Sequence, residues 1–304
     1  MTNVLELSPS CCPARSGVSL AQYTSLRVGG RAEWFATPRT TADLQSSLDW
    51  ARAESLPITF LGAGSNLLVS DRGLSGLVIC TRQFRQIQFD DGTGQVTAAA
   101  GDSLAGLAWK AARRGWRGLE WAVGIPGTVG GAVVMNAGAH GRCNSDSLMD
   151  AHVLSTEGAY SILRNADLQY CYRSSVMQGS NRMVTQATFQ LQPGHEPKQV
   201  MADTAADLQQ RRATQPYDMP SCGSVFRNPT THSAGRLIEA AGLKGFTIGR
   251  AQVSDRHANF ILILGGATAG DILRIIRHVQ ETVENRWCLL LNPEVKILGE
   301  FCSV

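Results

Sequence analysis

Gly124-Ile-Pro-Gly-Thr-Val-Gly-Gly-Ala-Val-Val-Met-Asn-Ala-Gly-Ala-His-Gly141 is the densest glycine run in the chain. Pro126-Gly127 and Gly130-Gly131 read as two tight turns about a helical turn apart, and Val133-Val-Met135 leads into Asn136-Ala-Gly138. Glycines clustered in this way mark turns, or backbone brought close to a ligand. A second run lies upstream, where Pro57-Ile-Thr-Phe-Leu61 reads as a strand entering Gly62-Ala-Gly64-Ser-Asn66. Such a turn presents successive backbone N–H groups to a pyrophosphate. It is not the G-x-G-x-x-G fingerprint, which must open a helix; the residues after Gly64 read as a short strand and turn. Two long glycine-rich loops fit an extended dinucleotide, and a sheet hairpin with demanding turns fits them equally well.

Outward from these loops, Thr40-Thr-Ala-Asp43 has capping-box spacing and predicts a helix over about 41–54. Residues 67–99 read as short strands broken at Gly73, Gly92 and Gly94, and 103–114 as a helix ending on Gly115. Strands are expected near 151–155, 158–163 and 183–191. Pro193-Gly194 and Pro197 mark a boundary, followed by a polar helix over 198–212 with Met201, Ala205 and Leu208 facing inward. The remainder predicts strands at 224–226, 258–264 and 293–298. Between them lie a helix at 233–241 and a long helix opening at Thr268-Ala-Gly-Asp271, with Ile272, Ile276, Val279 and Val283 on one face. Intermixed helices and short strands without a fixed repeat define an α+β class.

Composition narrows the function classes. The chain has 304 residues with a net charge of +3, and its basic clusters are no longer than a pair such as Arg211-Arg212, which disfavours a nucleic-acid partner. Its longest apolar runs, such as Phe260-Ile-Leu-Ile-Leu264, are far too short for a membrane span. The first 20 residues have neither the basic start nor the apolar core of a signal peptide and read as a flexible leader. Eight cysteines include no C-x-x-C pair, so no metal site is expected, and reduced thiols in the cytoplasm fit best.

Several separated motifs then agree, in order, with one family. Tyr23-Thr-Ser-Leu-Arg-Val-Gly-Gly30, Gly62-Ala-Gly-Ser-Asn-Leu-Leu68, Gly124 to Gly141 and Tyr172-Arg-Ser-Ser175 are followed by Gly223-Ser-Val-Phe-Arg-Asn-Pro229, Gly242-Leu-Lys-Gly245 and Pro293-Glu-Val-Lys296. Together they resemble the UDP-N-acetylenolpyruvoylglucosamine reductases over all but the leader. The resemblance implies an FAD-binding domain of the vanillyl-alcohol oxidase (PCMH) type over 21–194 and an α/β substrate-binding domain over 195–304. It implies non-covalent FAD, held by Gly62, Ala63, Gly64, Ser65, Asn66 and Leu67 and by Gly124, Ile125, Pro126, Gly127, Thr128, Gly130, Gly131, Asn136, Ala137 and Gly138. No histidine suited to covalent attachment stands beside Gly29-Gly30.

The implied reaction is NADPH-dependent reduction of an enolpyruvyl UDP-sugar to UDP-N-acetylmuramate for peptidoglycan. The chemistry develops negative charge on the carbon bearing the carboxylate, so it needs fixed donors on that carboxylate and an acid for the carbon. By the resemblance Arg173 supplies the guanidinium, Glu294 acts as a protonated acid and Ser224 donates the proton. Tyr172, Asn228, Lys296 and Arg211 are implied substrate contacts. Taken singly, Arg173 reads as a surface arginine, Glu294 as a partner of Lys296 and Ser224 as a turn residue. Only 51 positions separate Arg173 from Ser224, which resembles the shorter subtype without an inserted tyrosine loop. Asn292 stands where many relatives carry Glu. Rival readings are an FAD-dependent alcohol or sugar oxidase of the same fold and a non-catalytic UDP-sugar-binding module. A monomer is expected.

Overall fold

The structure, a computed structural model, describes residues 4–5 and 14–301. Most of the expected leader lies outside the described residues. Packing divides the rest into two compact units. The first takes residues up to Ser16, Trp34–Ala63 and Gly76–Arg211; the second takes Gly17–Glu33, Gly64–Ser75 and residues from Arg212 onward. These packing units differ from a linear division at 194/195. Leu26, Val28 and Leu68, early in the chain, are buried in the core of the second unit. Leu67–Val69 there runs parallel to Lys296–Leu298.

In the first unit, α1 (Thr41–Ala53) starts on the expected capping box, with Asp43 N–H donating to Thr40 Oγ1 (3.1 Å) and Thr40 N–H to Asp43 Oδ2 (3.0 Å). Its Leu44, Leu48 and Ala51 pack on Leu77 and Ile79. Strand Ile58–Leu61 lies parallel to Leu74–Cys80, with Ile58 opposite Leu77 and Leu61 opposite Cys80. A second, antiparallel sheet has the order Tyr160–Arg164, Leu148–Ser155, Arg182–Gln190, Gln95–Ala99, Ile87–Asp90. Helix α2 (Leu104–Arg113) buries Leu104, Leu107, Ala108 and Ala111 in the same core as Val96, Ala187 and Phe189 of that sheet. The densest glycine run contains a helix that its composition did not predict, α3 (Val129–Met135), and then a short hairpin, Gly138–Ala139 with Arg142–Cys143.

Helix α4 (Pro197–Thr214) corrects a face. Val200 and Thr204 are its buried residues, one position before the predicted Met201 and Ala205; Ala205 is exposed, and Leu208 packs partly against the core. The buried Thr204 hydroxyl is satisfied by donating to Val200 C=O (2.7 Å).

The second unit holds α5 (Ala234–Ala240), α6 (Ala269–Trp287) and a three-stranded sheet, Thr247–Ile248, Ala251–Val253, Ile261–Ile263. Helix α6 carries its capping box at Thr268 and Asp271 and buries Ile272, Ile275, Ile276, Val279 and Val283. Each such aliphatic side chain stabilises by roughly 1.5–3 kcal/mol. Asp71 also accepts from Ala269 N–H (2.9 Å) and Gly270 N–H (3.0 Å), two donors that the helix itself leaves without partners.

Candidate active site

In the first unit the two glycine-rich runs meet. A Cβ on Gly62 would lie 2.6 Å from Thr128 Oγ1, and one on Gly130 would lie 2.9 Å from the Cβ of Ala100. Thr128 caps α3 by accepting from Gly131 N–H (3.3 Å). Backbone here is packed so closely that side chains are excluded, which leaves main-chain groups to line the surface. Arg82 Nη2 donates to Ala63 C=O (2.5 Å) and Arg211 Nε to Gly124 C=O (3.2 Å), tying one guanidinium to each run.

The end of α3 positions Arg173. The last carbonyls of a helix have no partner within it, and here residues 170–178 supply them. Tyr170 hydroxyl donates to Val133 C=O (3.0 Å), while Ser175 Oγ (2.7 Å) and Gln178 Nε2 (3.2 Å) donate to Val134 C=O. Asn136, itself left-handed at φ 42°, returns the contact by donating from Nδ2 to Cys171 C=O (3.1 Å). Arg173 then donates from Nη2 to Gly138 C=O (2.7 Å), and its own C=O accepts from Gln178 Nε2 (2.9 Å). Burial holds the Tyr170 hydroxyl well above the ordinary tyrosine value, so it remains a donor. Tyr172 is exposed, with the Arg173 guanidinium 5.1 Å from its ring centroid.

Within the second unit, the backbone segments that carry Ser224 and Glu294 pair with each other. Phe226 bridges Pro293 in antiparallel fashion, and Val225 C=O accepts from Glu294 N–H (2.7 Å) and Val295 N–H (3.3 Å). The expected strand over 224–226 is thus one isolated bridge. Gly223, at φ 78°, turns the chain immediately before Ser224. Asn66 secures the other side, donating from Nδ2 to Glu294 C=O (3.0 Å) while its own C=O accepts Lys296 N–H (3.0 Å). Tight packing supports this loop as well, since Gly64 is left-handed at φ 66° and Ser25 N–H donates to its C=O (3.1 Å).

Burial pulls the Lys296 ammonium below the ordinary lysine value; the positive charge of Arg227 acts the same way, and Glu294 opposes both. Burial also pushes the Cys222 thiol up to about 12, with the Glu294 charge adding to it, so Cys222 is a neutral core residue. Asn228 is exposed, and its Oδ1 accepts from Ala234 N–H at the start of α5 (3.0 Å). Asn292 is exposed too, and its C=O accepts from Arg227 N–H (2.9 Å).

Arg173, with Gly62, Ala63 and the 124–138 run, therefore belongs to the first unit. Ser224, Glu294, Lys296 and Asn228, with Gly64 to Leu67, belong to the second. Arg211 lies against Gly124 in the first. Sequence reasoning missed Asn259, which is buried and clamps Phe226 from both sides. Its Oδ1 accepts from Phe226 N–H (2.9 Å) and its Nδ2 donates to Phe226 C=O (2.8 Å). An Asn inside the apolar stretch Ala258-Asn-Phe-Ile-Leu was the available signal, because a buried amide there needs a backbone partner.

Residues 32–162 match the family model described as FAD binding domain, which makes the first unit a flavin-binding domain of the PCMH type, and its close-packed glycine backbone beside the capped start of α3 is compatible with that class. Residues 215–298 match the model described as UDP-N-acetylenolpyruvoylglucosamine reductase, C-terminal domain. The chain belongs to the UDP-N-acetylenolpyruvoylglucosamine reductase family. It is 58% identical over 300 residues to the protein of that name from Nostoc sp. PCC 7120, covering 99% of this chain and 91% of the relative. To the one from Synechocystis sp. PCC 6803 it is 55% identical, covering 93% and 90%. A crystal structure of the Thermus caldophilus reductase superposes with a TM-score of 0.79 at 36% identity, covering 98% of this chain and all of that one. Among the described residues no helix is long and apolar enough to cross a membrane, and no cluster of His, Cys, Asp and Glu is set to hold a metal.

Proposed function

We propose that the protein reduces the enolpyruvyl group of UDP-N-acetylglucosamine enolpyruvate to give UDP-N-acetylmuramate, in the synthesis of peptidoglycan precursors, with NADPH as the hydride donor. The backbones of Gly62 to Leu67, Gly124 to Thr128, Gly130, Gly131 and Asn136 to Gly138 would hold FAD non-covalently, and the side-chain-free packing at Gly62 and Gly130 fits that task. When bound, FAD would supply the hydride-transfer chemistry that connects the nicotinamide to the methylene carbon of the substrate.

The residues of the chain handle charge and protons. Arg173 offers two parallel N–H donors and a positive charge to the substrate carboxylate. As hydride reaches the methylene carbon, negative charge grows on the neighbouring carbon and spreads into that carboxylate. Fixed donors aimed there lower the barrier without reorganising. Glu294 acts in its protonated form, which the charge of the arriving substrate carboxylate favours, and adds a neutral donor to the same anion, while Ser224 Oγ gives its proton to the carbon. Serine is a weak acid, but a carbanion is a strong enough base to take the proton where geometry is set. Lys296, Asn228, Tyr172 and Arg211 contact the rest of the UDP-sugar.

One observation supports this reading above the others: the Glu294 N–H to Val225 C=O bond, which pairs the backbone of the proposed acid with the residue that follows Ser224. Anaerobic half-reaction spectroscopy tests it. The purified protein is expected to be yellow, to bleach with NADPH, and to regain colour with the enolpyruvyl substrate. A protein colourless after reconstitution with FAD, or one that bleaches and ignores that substrate, sinks the proposal. The reading includes a cytoplasmic location and a monomeric chain, for which light scattering at the mass of one chain is the expected result.

A further inference from the structure

Arg227 has no role in the chemistry above, and its surroundings lack something. Its Nε–H is buried without a hydrogen-bond partner among the described residues. Other arginines in the molecule place their guanidinium on a main-chain carbonyl: Arg82 on Ala63, Arg173 on Gly138, Arg256 on Arg212. The root of the Arg227 side chain is fixed by its N–H to Asn292 C=O, one residue past the Phe226–Pro293 bridge. Its positive charge is felt by Lys296, another cation. A buried charged donor without an acceptor is costly, and a second cation nearby adds repulsion that Glu294 opposes. An oxyanion between the two would satisfy the donor and cancel the repulsion together.

We infer that Arg227 and Lys296 jointly hold an oxyanion of the substrate, a carboxylate or a phosphate, with Arg227 Nε–H as its orienting donor. The inference rests on the proposed reaction, whose substrate carries both groups. Arg227 stands three residues from Ser224 and Lys296 two from Glu294. An anion held there is registered directly against the proposed acid and proton donor. A guanidinium suits this task because its fork fixes the direction of the anion as well as its charge.

The test is calorimetric titration of the flavin-loaded protein with two probes. UDP-N-acetylmuramate carries diphosphate and carboxylate, and UDP-N-acetylglucosamine carries diphosphate alone. Arg227→Gln is expected to weaken UDP-N-acetylmuramate binding by about tenfold or more, while keeping the flavin content and melting midpoint of the wild type. Equal weakening of UDP-N-acetylglucosamine identifies a phosphate; unchanged binding of that probe identifies the carboxylate. Arg227→Lys keeps charge but loses the Nε donor, so it should fall between wild type and Arg227→Gln, and it carries the test should Arg227→Gln fail to fold. The wild-type affinity should also fall more steeply with added KCl than that of the variant. A folded variant that binds UDP-N-acetylmuramate within about twofold of wild type overturns the inference and leaves the proposed reaction standing. Wild-type protein that binds neither probe overturns the reaction itself.

Discussion

A non-glycine residue at positive φ is held there against a cost of order 1–2 kcal/mol, and Arg173 sits at φ 54°. The restraint comes from both ends of the residue. Gln178 Nε2 fixes its C=O, and Gly138 C=O accepts from its guanidinium, so the side chain is aimed before any substrate arrives. Arg173→Lys retains a charge but not the two-pronged geometry. It should lower kcat/KM by about a hundredfold, close to 3 kcal/mol, with flavin content unchanged. A loss below about threefold would mean that charge alone suffices and the aimed fork is irrelevant. Ser224 gives a sharper separation. Ser224→Ala removes only a proton donor, so reduction by NADPH should persist while reoxidation by the enolpyruvyl substrate slows at least about a hundredfold. Stopped-flow traces slowed equally in both halves would contradict the assigned role. Neither residue stands out alone in the sequence; a serine after glycine and an arginine in a loop acquire meaning only from the motifs around them.

Among the elements, legibility follows whether local and tertiary signals agree. Helices α1 and α6 have capping boxes followed by apolar residues at helical spacing, and both form where expected. Helix α3 was hidden, because Gly130-Gly131 and Val133-Val134 are poor helix formers. It forms because Thr128 caps its start, residues 170–178 satisfy its last carbonyls, and Val129 and Val133 are buried. In α4 the apolar signal is weak, so a threonine with an internal hydroxyl bond takes a core position that sequence reading gave to its neighbour. The 224–226 segment reads as a strand by composition, yet what orders it is Asn259, more than thirty residues away. The dependence of α3 on its cap has a consequence for the cofactor. Gly62→Ala places a methyl 2.6 Å from Thr128 Oγ1 and must displace the cap. It should cost about 1 kcal/mol of stability and sharply reduce the FAD retained on purification, read as the ratio of flavin to protein absorbance. Full flavin content with an unchanged melting midpoint would show that the two glycine-rich runs do not depend on each other.

For the whole molecule, stability should fall toward acid in two successive windows, and the two have separable causes. Burial lowers the His257 pKa, with the Lys244 charge acting the same way, while a backbone bond and Glu239 oppose. The folded protein therefore keeps this imidazole neutral over a range in which the unfolded chain, titrating near 6.5, already holds a proton. Where the unfolded state binds more protons, stability rises with pH, so this contribution is complete above about 6.5 and is lost as pH falls toward the lowered folded value. Protonation also removes an acceptor, since Asn259 N–H donates to His257 Nδ1 (3.2 Å), and Asn259 clamps the segment that carries Ser224. The second window belongs to Asp271 of the α6 capping box. Burial raises its pKa, but the Thr268 N–H and the Arg274 guanidinium outweigh that and hold it below 3.8. Its contribution is present above 3.8 and is lost as pH falls through the folded value. Melting midpoints measured across pH should therefore decline as pH falls below 6.5, and decline again below 3.8. His257→Gln has no proton to gain, so its curve should start lower and run flat through the upper window while keeping the lower decline. A His257→Gln curve parallel to wild type across the upper window would move the cause of that decline away from this histidine.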